Sequence, residues 1–509
     1  MRHGITASSF LLGTLFVGLL LSQTLLASDF DDPSSKFYQY CFSDGVKIRV
    51  HFNESVLKKS GQTIRFAKNV LDSAIEAYQI ITQFKGFSSA GYSFAFPDTR
   101  YAYDPDKTID IYLGDPSGDD AILNRGQNRL SFKDAPCFDT IKLSDTVYKA
   151  VILLPSNYRD FIKNWEHINP SPLGVRDINV DLRGTLIHEM LHVILFYYNK
   201  NLNKESWVEA QGSVNAEMKV DWYVEGLARY FEMFAGARHD FFSQGFKQTF
   251  PDKIRFSRGG SNFFMRYPDQ AFTDLRYENA LFWRFIDYKY GMAVIERLSR
   301  NFRLNKDEGL ELALAQVTKT PFNELLKSFA MAILFNDFGL KEDEIYLKEI
   351  AKTHLVYQEH NLYLIDGFGD GKLLGKVCAT DWIGKWGGIS SQFGNPGAGG
   401  DNTEKADVSG WATDYIQIDI GSEDPSLPTL GVTHKGKGLP LAVQLIVVSK
   451  GGSTLTNDMG EVDESSATKL NLKQWVGEQG LLAQDIDKVY LLITNTDPRK
   501  IADYEIHAA

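Results

Sequence analysis

His188-Glu189-Met190-Leu191-His192 is the stretch on which the reading of this chain turns. Residues four apart share one face of a helix, so the imidazoles of His188 and His192 can reach one metal ion while Glu189 lies beside them. The flanking spacing predicts such a helix. Leu182, Leu186, Val193 and Phe196 recur at helical intervals and form an apolar stripe that would bury it and hold the histidine rotamers. Imidazole nitrogen suits zinc, and a third protein ligand would leave one position open for water. The competing reading is a core helix with two satisfied histidines, and the third ligand decides between the two.

A third histidine in the pattern HExxHxxGxxH is excluded, because Leu195 and Tyr198 stand where glycine and histidine would be. A glutamate from a second helix is the other solution. The segment Trp222-Tyr223-Val224-Glu225-Gly226-Leu227-Ala228-Arg229-Tyr230-Phe231-Glu232 offers Glu225 for that role. Gly226 and Ala228 would let this helix approach the first closely. Trp222, Val224, Leu227 and Tyr230 are poor company for a solvated carboxylate, so Glu225 is expected to face inward.

HEMLH followed by WYVEGLARYFE resembles the gluzincin zinc metallopeptidases, the thermolysin and aminopeptidase clan within the peptidase MA-like superfamily, and especially its secreted hyicolysin-like members. Their glutamate ligand sits in an E-G-x-A-x-Y context. The resemblance implies one zinc ion per chain held by His188, His192 and Glu225, with Glu189 as general base. It covers residues 40 to 340 in element order and is specific at the two motifs. The chain departs from the pattern at one place: thermolysin-type sites carry a carboxylate four residues after the glutamate ligand to hold a histidine ligand, and Arg229 stands there. Glu232 and Glu217 are the nearest spare carboxylates in sequence.

The rest of the chain limits what such a site could serve. At 509 residues it exceeds one core and should form two or three domains. With 43% hydrophobic and 23% charged residues it has the composition of a folded globular protein. A net charge of −11 and the absence of a basic run argue against nucleic acid or anionic lipid as partners. Arg2 and His3, the apolar run from Phe10 to Leu21, and Leu25-Leu26-Ala27 before acidic Asp29 read as a signal peptide over residues 1–27. The expected location is therefore extracellular or periplasmic, with a membrane anchor only if that segment stays uncleaved. Cys41, Cys137 and Cys378 allow at most one disulfide, and Cys41 with Cys137 is the expected pair because both flank the N-terminal subdomain. None of the three has the setting of a catalytic cysteine.

In chain order, Val46, Ile48, Val50 and Phe52 alternate with Lys47, Arg49 and His51, predicting a strand with one face buried. Ile64, Ala67, Leu71, Ala74, Ile75, Tyr78 and Ile81 hold helical spacing. Strands follow at 108–113 and 148–154, giving an α/β subdomain over 28–155. By resemblance, the second of these lies at the sheet edge beside the zinc, and a substrate peptide adds to it along Lys149 to Leu154. A buried central strand is the alternative. Residues 156–350 read as a helical subdomain, with the polar stretch 199–219 as a rim loop. Tyr277 opens the helix 277–288, and the resemblance makes it the donor to the developing oxyanion, ahead of His239 and Tyr230. Residues 351–405 read as a glycine-rich connector, and the alternation at 415–420, 439–448, 489–494 and 504–507 predicts a β-sandwich over 406–509. That domain is either a module binding substrate or a cell surface, or a stabilising appendage.

The expected class is α+β, a gluzincin-type catalytic half followed by a β-sandwich. The expected function is a secreted zinc peptidase acting on protein or peptide substrates, an endopeptidase because no Gly-x-Met-Glu-Asn segment precedes the metal helix. The alternatives are an inactive cell-surface adhesion protein on a metallopeptidase fold, favoured by Arg229, and a hydrolase of non-peptide amides.

Overall fold

A computed structural model of the 509-residue chain provides the coordinates. It describes residues 35–84, 107–115, 122–125, 128–131, 137–142, 148–158, 178–198, 221–232, 279–301, 310–335, 337–339, 362–365, 406–408, 411–418, 427, 429–434, 439–464, 466–497 and 502–508. Residues 1–27, read above as a signal peptide, and Cys378, Glu217, His239 and Tyr277 lie outside these residues. No helix among the described residues is long and apolar enough to cross a membrane.

Strands β1 (Ser35–Cys41) and β2 (Lys47–Asn53) form an antiparallel hairpin. Its turn uses Gly45 at φ +85°, a left-handed conformation that favours glycine. Asn53 ends β2 and caps α1 (Glu54–Lys59), its side-chain oxygen accepting from the Ser55 N–H at 2.9 Å. Helix α2 (Ile64–Gln79) then packs back on the sheet and runs into a wider turn at Ile80–Phe84.

The sheet is completed by β3 (Thr108–Gly114), β6 (Cys137–Lys142) and β7 (Tyr148–Pro155), while β4 (Ile122–Arg125) and β5 (Asn128–Ser131) make a separate hairpin. The strand order is β1-β2-β3-β7-β6, with β2, β3 and β7 parallel and β6 antiparallel to β7. Ile48, Val50, Ile111 and Ile152 are fully buried and join Ala67, Val70 and Ala74 of α2 in one apolar cluster.

Three sequence expectations are corrected here. The strand at 148–154 is paired on both sides, to β3 and β6, so its main chain cannot take up a substrate; among the described residues the edge is β6. β2 is not buried on one face only, because His51, on the face opposite Val50, has no exposure either. Cys41 and Cys137 do not pair with each other: they lie on β1 and β6, at opposite ends of the strand order. Four strand spacings of about 4.8 Å put them about 19 Å apart, far beyond the roughly 7 Å limit between the α-carbons of a disulfide.

What buries the second face at its centre is charge. His51 Nε2 lies 2.8 Å from Asp110 Oδ1, and Lys149 Nζ lies 2.6 Å from Asp110 Oδ2, linking three adjacent strands. The Tyr112 ring stacks on His51 at 4.5 Å. Burial alone would raise the Asp110 pKa, but the hydrogen bond from His51 and the Lys149 ammonium outweigh it and hold the carboxyl well below the usual carboxylate range.

The helices follow: α3 (Ile178–Tyr198), α4 (Asp221–Tyr230), α5 (Ala280–Tyr290), α6 (Met292–Asn301), α7 (Leu310–Thr318) and α8 (Phe322–Phe335). Helix α3 is enclosed on all sides: Leu186, Ile187, Met190, Leu191, Val193, Ile194 and Leu195 are all buried, which is more than a single stripe.

The C-terminal part is two facing sheets. The first has the order β13-β12-β15-β10-β8, from β8 (Leu362–Ile365), β10 (Thr413–Ile418), β12 (Leu441–Ser449), β13 (Thr454–Val462) and β15 (Ile486–Asn495). The second has the order β14-β11-β16-β9, from β9 (Ala406–Val408), β11 (Thr429–His434), β14 (Ala467–Asn471) and β16 (Ala502–Ala508). Strand β8 comes from the stretch read as connector and pairs parallel with β10. Leu430, Val432, Val443, Leu445 and Leu491 fill the space between the sheets. The outer face of the first sheet does not meet water everywhere. Trp411, Ile446, Tyr490 and Leu492 belong to the same apolar cluster as α8. The Trp411 ring lies 4.7 Å from that of Phe322, and Lys327 Nζ lies 2.6 Å from Asp458 Oδ2.

Candidate metal centre

Helix α3 carries His188, Glu189 and His192, and α4 crosses it with Glu225. Each helix is locked before it reaches the site. On α3, the Tyr197 hydroxyl lies 3.3 Å from the Ala150 main-chain nitrogen of β7, and Thr185 Oγ1 lies 2.9 Å from the Tyr158 hydroxyl. On α4, the Tyr223 hydroxyl meets Ser299 Oγ of α6 at 2.6 Å, and its ring stands edge-on to Trp283 of α5. The Tyr230 hydroxyl donates to Asp287 of α5. Gly226 and Ala228 are buried, so α4 presents small residues around the glutamate.

His188 Nε2 lies 3.2 Å and His192 Nε2 lies 3.7 Å from Glu225 Oε2. The three donor atoms are all within 4.8 Å of one another. Four ligands placed tetrahedrally at about 2.0–2.1 Å from zinc would be about 3.3–3.4 Å apart, so this set fits such an ion with small adjustments. The donor types, two imidazoles and one carboxylate, suit zinc as well. These three residues could hold one metal ion.

The charges answer one another. Burial by itself would lower the His188 pKa, but the hydrogen bonds to Glu225 and Glu232, with the charge of Glu189, outweigh it and push the value up to about 10. Burial would raise Glu225, yet the charge of His192 and the hydrogen bonds from both imidazoles hold it well below the usual carboxylate range. Glu189 is different. Burial pushes its pKa up, offset only in part by the two histidines.

The structure therefore brings together His188, Glu189, His192 and Glu225, and it adds two groups beside them. The main-chain N–H of Phe138, on β6, donates to the Glu189 carboxylate, and the Phe138 ring lies 6.0 Å from that of His192. Sequence reading did not single out Phe138, since any residue but proline supplies that N–H. Glu232 Oε2 lies 3.5 Å from His188 Nδ1 and 2.7 Å from Arg229 Nη1; Glu217, the other spare carboxylate of the sequence, lies outside the described residues. Of the three candidates for an oxyanion donor, only Tyr230 lies within the described residues, and its hydroxyl proton is given to Asp287.

No family model matches the chain. No curated protein matches it either. Among solved structures, a family GH115 4-O-methyl-alpha-glucuronidase, BtGH115A, with specificity for decorated arabinogalactans, aligns at 10% identity and a TM-score of 0.11. The alignment covers 81% of this chain and 53% of that one, so the chain spans about half the length of the glucuronidase. A superposition at that level carries no argument about fold or activity.

Proposed function

We propose that the chain is a secreted zinc metallopeptidase of gluzincin type, an α+β catalytic half over residues 28–350 followed by a β-sandwich over 406–509, that hydrolyses internal peptide bonds. The observation that carries this reading is the convergence of His188, His192 and Glu225 at zinc-ligand separations with a buried Glu189 alongside. Zinc bound there would leave a position for water and lower the pKa of that water to about 7.

Glu189 would act as the base, taking a proton from the attacking water and passing it to the departing amine. Its burial, which raises its pKa above the ordinary glutamate value, strengthens it as a proton acceptor. The substrate main chain would add to β6. Phe138 turns its N–H away from β7, and alternation gives Thr140 and Lys142 the same outward direction. Tyr277 is the proposed donor to the oxyanion.

The test is elemental analysis of the purified mature chain beside Glu189→Gln and Glu225→Ala, each incubated with unfolded casein. One zinc in the wild type and in Glu189→Gln, with cleavage by the wild type alone and no zinc in Glu225→Ala, is the expected result. Absence of zinc from the wild type would end this reading. Zinc without cleavage of any protein would favour the binding-protein alternative.

A further inference from the structure

The two nitrogens of the His188 ring face two different carboxylates. Nε2 lies 3.2 Å from Glu225 Oε2, and Nδ1 lies 3.5 Å from Glu232 Oε2. The glutamates are seven residues apart, close to two full helical turns, so both fall on the face of α4 that meets α3. Phe231 and Glu232 continue that helix in a wider turn beyond its last regular residue, Tyr230. Arg229 stands one turn after Glu225 and points its charge at Glu232. Its Nη1 lies 2.7 Å from Oε2, the same oxygen that faces His188. The Glu232 side chain is 4% exposed, and a carboxylate that deep is costly unless a cation holds it.

We propose that Glu232, braced by Arg229, is the positioning residue that fixes His188 as a metal ligand. The inference rests on the reading of His188, His192 and Glu225 as a metal centre. A ligating imidazole gives one nitrogen lone pair to the ion and keeps its proton on the other nitrogen. The partner of that N–H sets the tautomer and the rotation of the ring. With Nε2 turned toward Glu225 and His192, the proton belongs on Nδ1, and Glu232 Oε2, 3.5 Å away, is the carboxylate placed to receive it when the ring settles on a metal. The negative charge behind the ring also makes Nε2 a better donor of electrons to a metal. Arg229 lies on the same oxygen, and that ion pair holds the Glu232 carboxylate behind the ring and out of the ligand set. The arginine is then part of the support of the site rather than a gap in it.

The test titrates the metal-free full-length chain with zinc against a competing chelator, and with cobalt(II) followed by its visible absorption. The wild type is compared with Glu232→Gln and with the double variant Arg229→Gln/Glu232→Gln. The double variant removes both charges and so leaves neither one buried alone. The expected result is one bound metal in all three, with affinity reduced roughly 10- to 100-fold in both variants and a changed cobalt spectrum. A merely structural role would lower the melting temperature of the metal-free variants and leave affinity and spectrum as in the wild type, and that outcome would overturn the inference. A wild-type chain that binds no metal would overturn the metal-centre reading itself, which is a separate failure.

Discussion

The main-chain N–H of Phe138 on the edge strand β6 donates to the carboxylate of Glu189 on the buried helix α3. One hydrogen bond thus joins the proposed base to the strand on which a substrate would lie. The bond favours the charged carboxylate, while burial and the nearby Glu225 favour the neutral one.

Replacing Glu189 by Gln keeps the shape and the hydrogen bond to Phe138 but removes the base. Casein cleavage should fall by about 10²–10⁴-fold, the usual contribution of a general base, with metal content unchanged. Initial rates measured beside elemental analysis check this. Equal activity in the variant would remove Glu189 from the chemistry.

Proline at position 140 would delete an outward N–H of β6 without removing a rung of the sheet, since Thr140 faces Ala150 in the same register as Phe138 faces Ile152. Loss of one main-chain hydrogen bond to the substrate corresponds to about tenfold in kcat/KM. Kinetics on an unfolded protein substrate, with zinc content as the control, measure it. An unaffected rate would show that substrate does not extend the sheet at this edge.

Asp110→Asn would leave the buried Lys149 ammonium without its countercharge. Breaking such a pair costs about 3–5 kcal/mol, read as a shift of the urea midpoint at neutral pH. The sign of the pH dependence follows from the depressed Asp110 value. Its contribution is complete above the ordinary aspartate range and is lost only as pH falls through the lower folded value. Wild type and variant should therefore converge in stability in strong acid; a constant gap down to the lowest pH would contradict the assignment.

Trp411 ties the sandwich to α8. It has φ +52°, its indole N–H donates to the Thr496 carbonyl at 3.1 Å, and its ring packs on Phe322. Trp411→Ala should cost about 3–5 kcal/mol and separate one calorimetric transition into two. A single unshifted transition would mean that the two halves do not depend on this contact.

Several of these relationships have sequence signals and others have none. The meeting of His188, His192 and Glu225 does: two histidines one turn apart in an apolar run, then a glutamate among Val224, Leu227 and Ala228 that no solvated face would choose. The edge position of β6 has no such signal. Being an edge depends on which strands pair, and β7 is the more apolar of the two yet sits inside. Arg49 and His51 alternate with apolar residues just as a wet face would, so the alternation could not reveal that Asp110 and Lys149 complete them from neighbouring strands. Strand β13 reads as polar because Thr454, Thr456, Asp458 and Glu461 stand exposed along it, although its main chain pairs along β12. The role of Glu232 was ambiguous for a simpler reason: a spacing of seven residues marks a shared helix face but not the neighbour across it.

The docking of Trp411 against Phe322 also orders events in time. The residues of the proposed metal site lie between 188 and 225, so they can meet while most of the chain is still unmade. The apolar flank of α8 has to wait until Trp411, Ile446 and Tyr490 have emerged from the ribosome. During that interval a nascent chain would carry a nearly finished N-terminal half with one raw side, open to aggregation or to a chaperone. The sandwich would then be the last piece of the N-terminal half's own core to arrive.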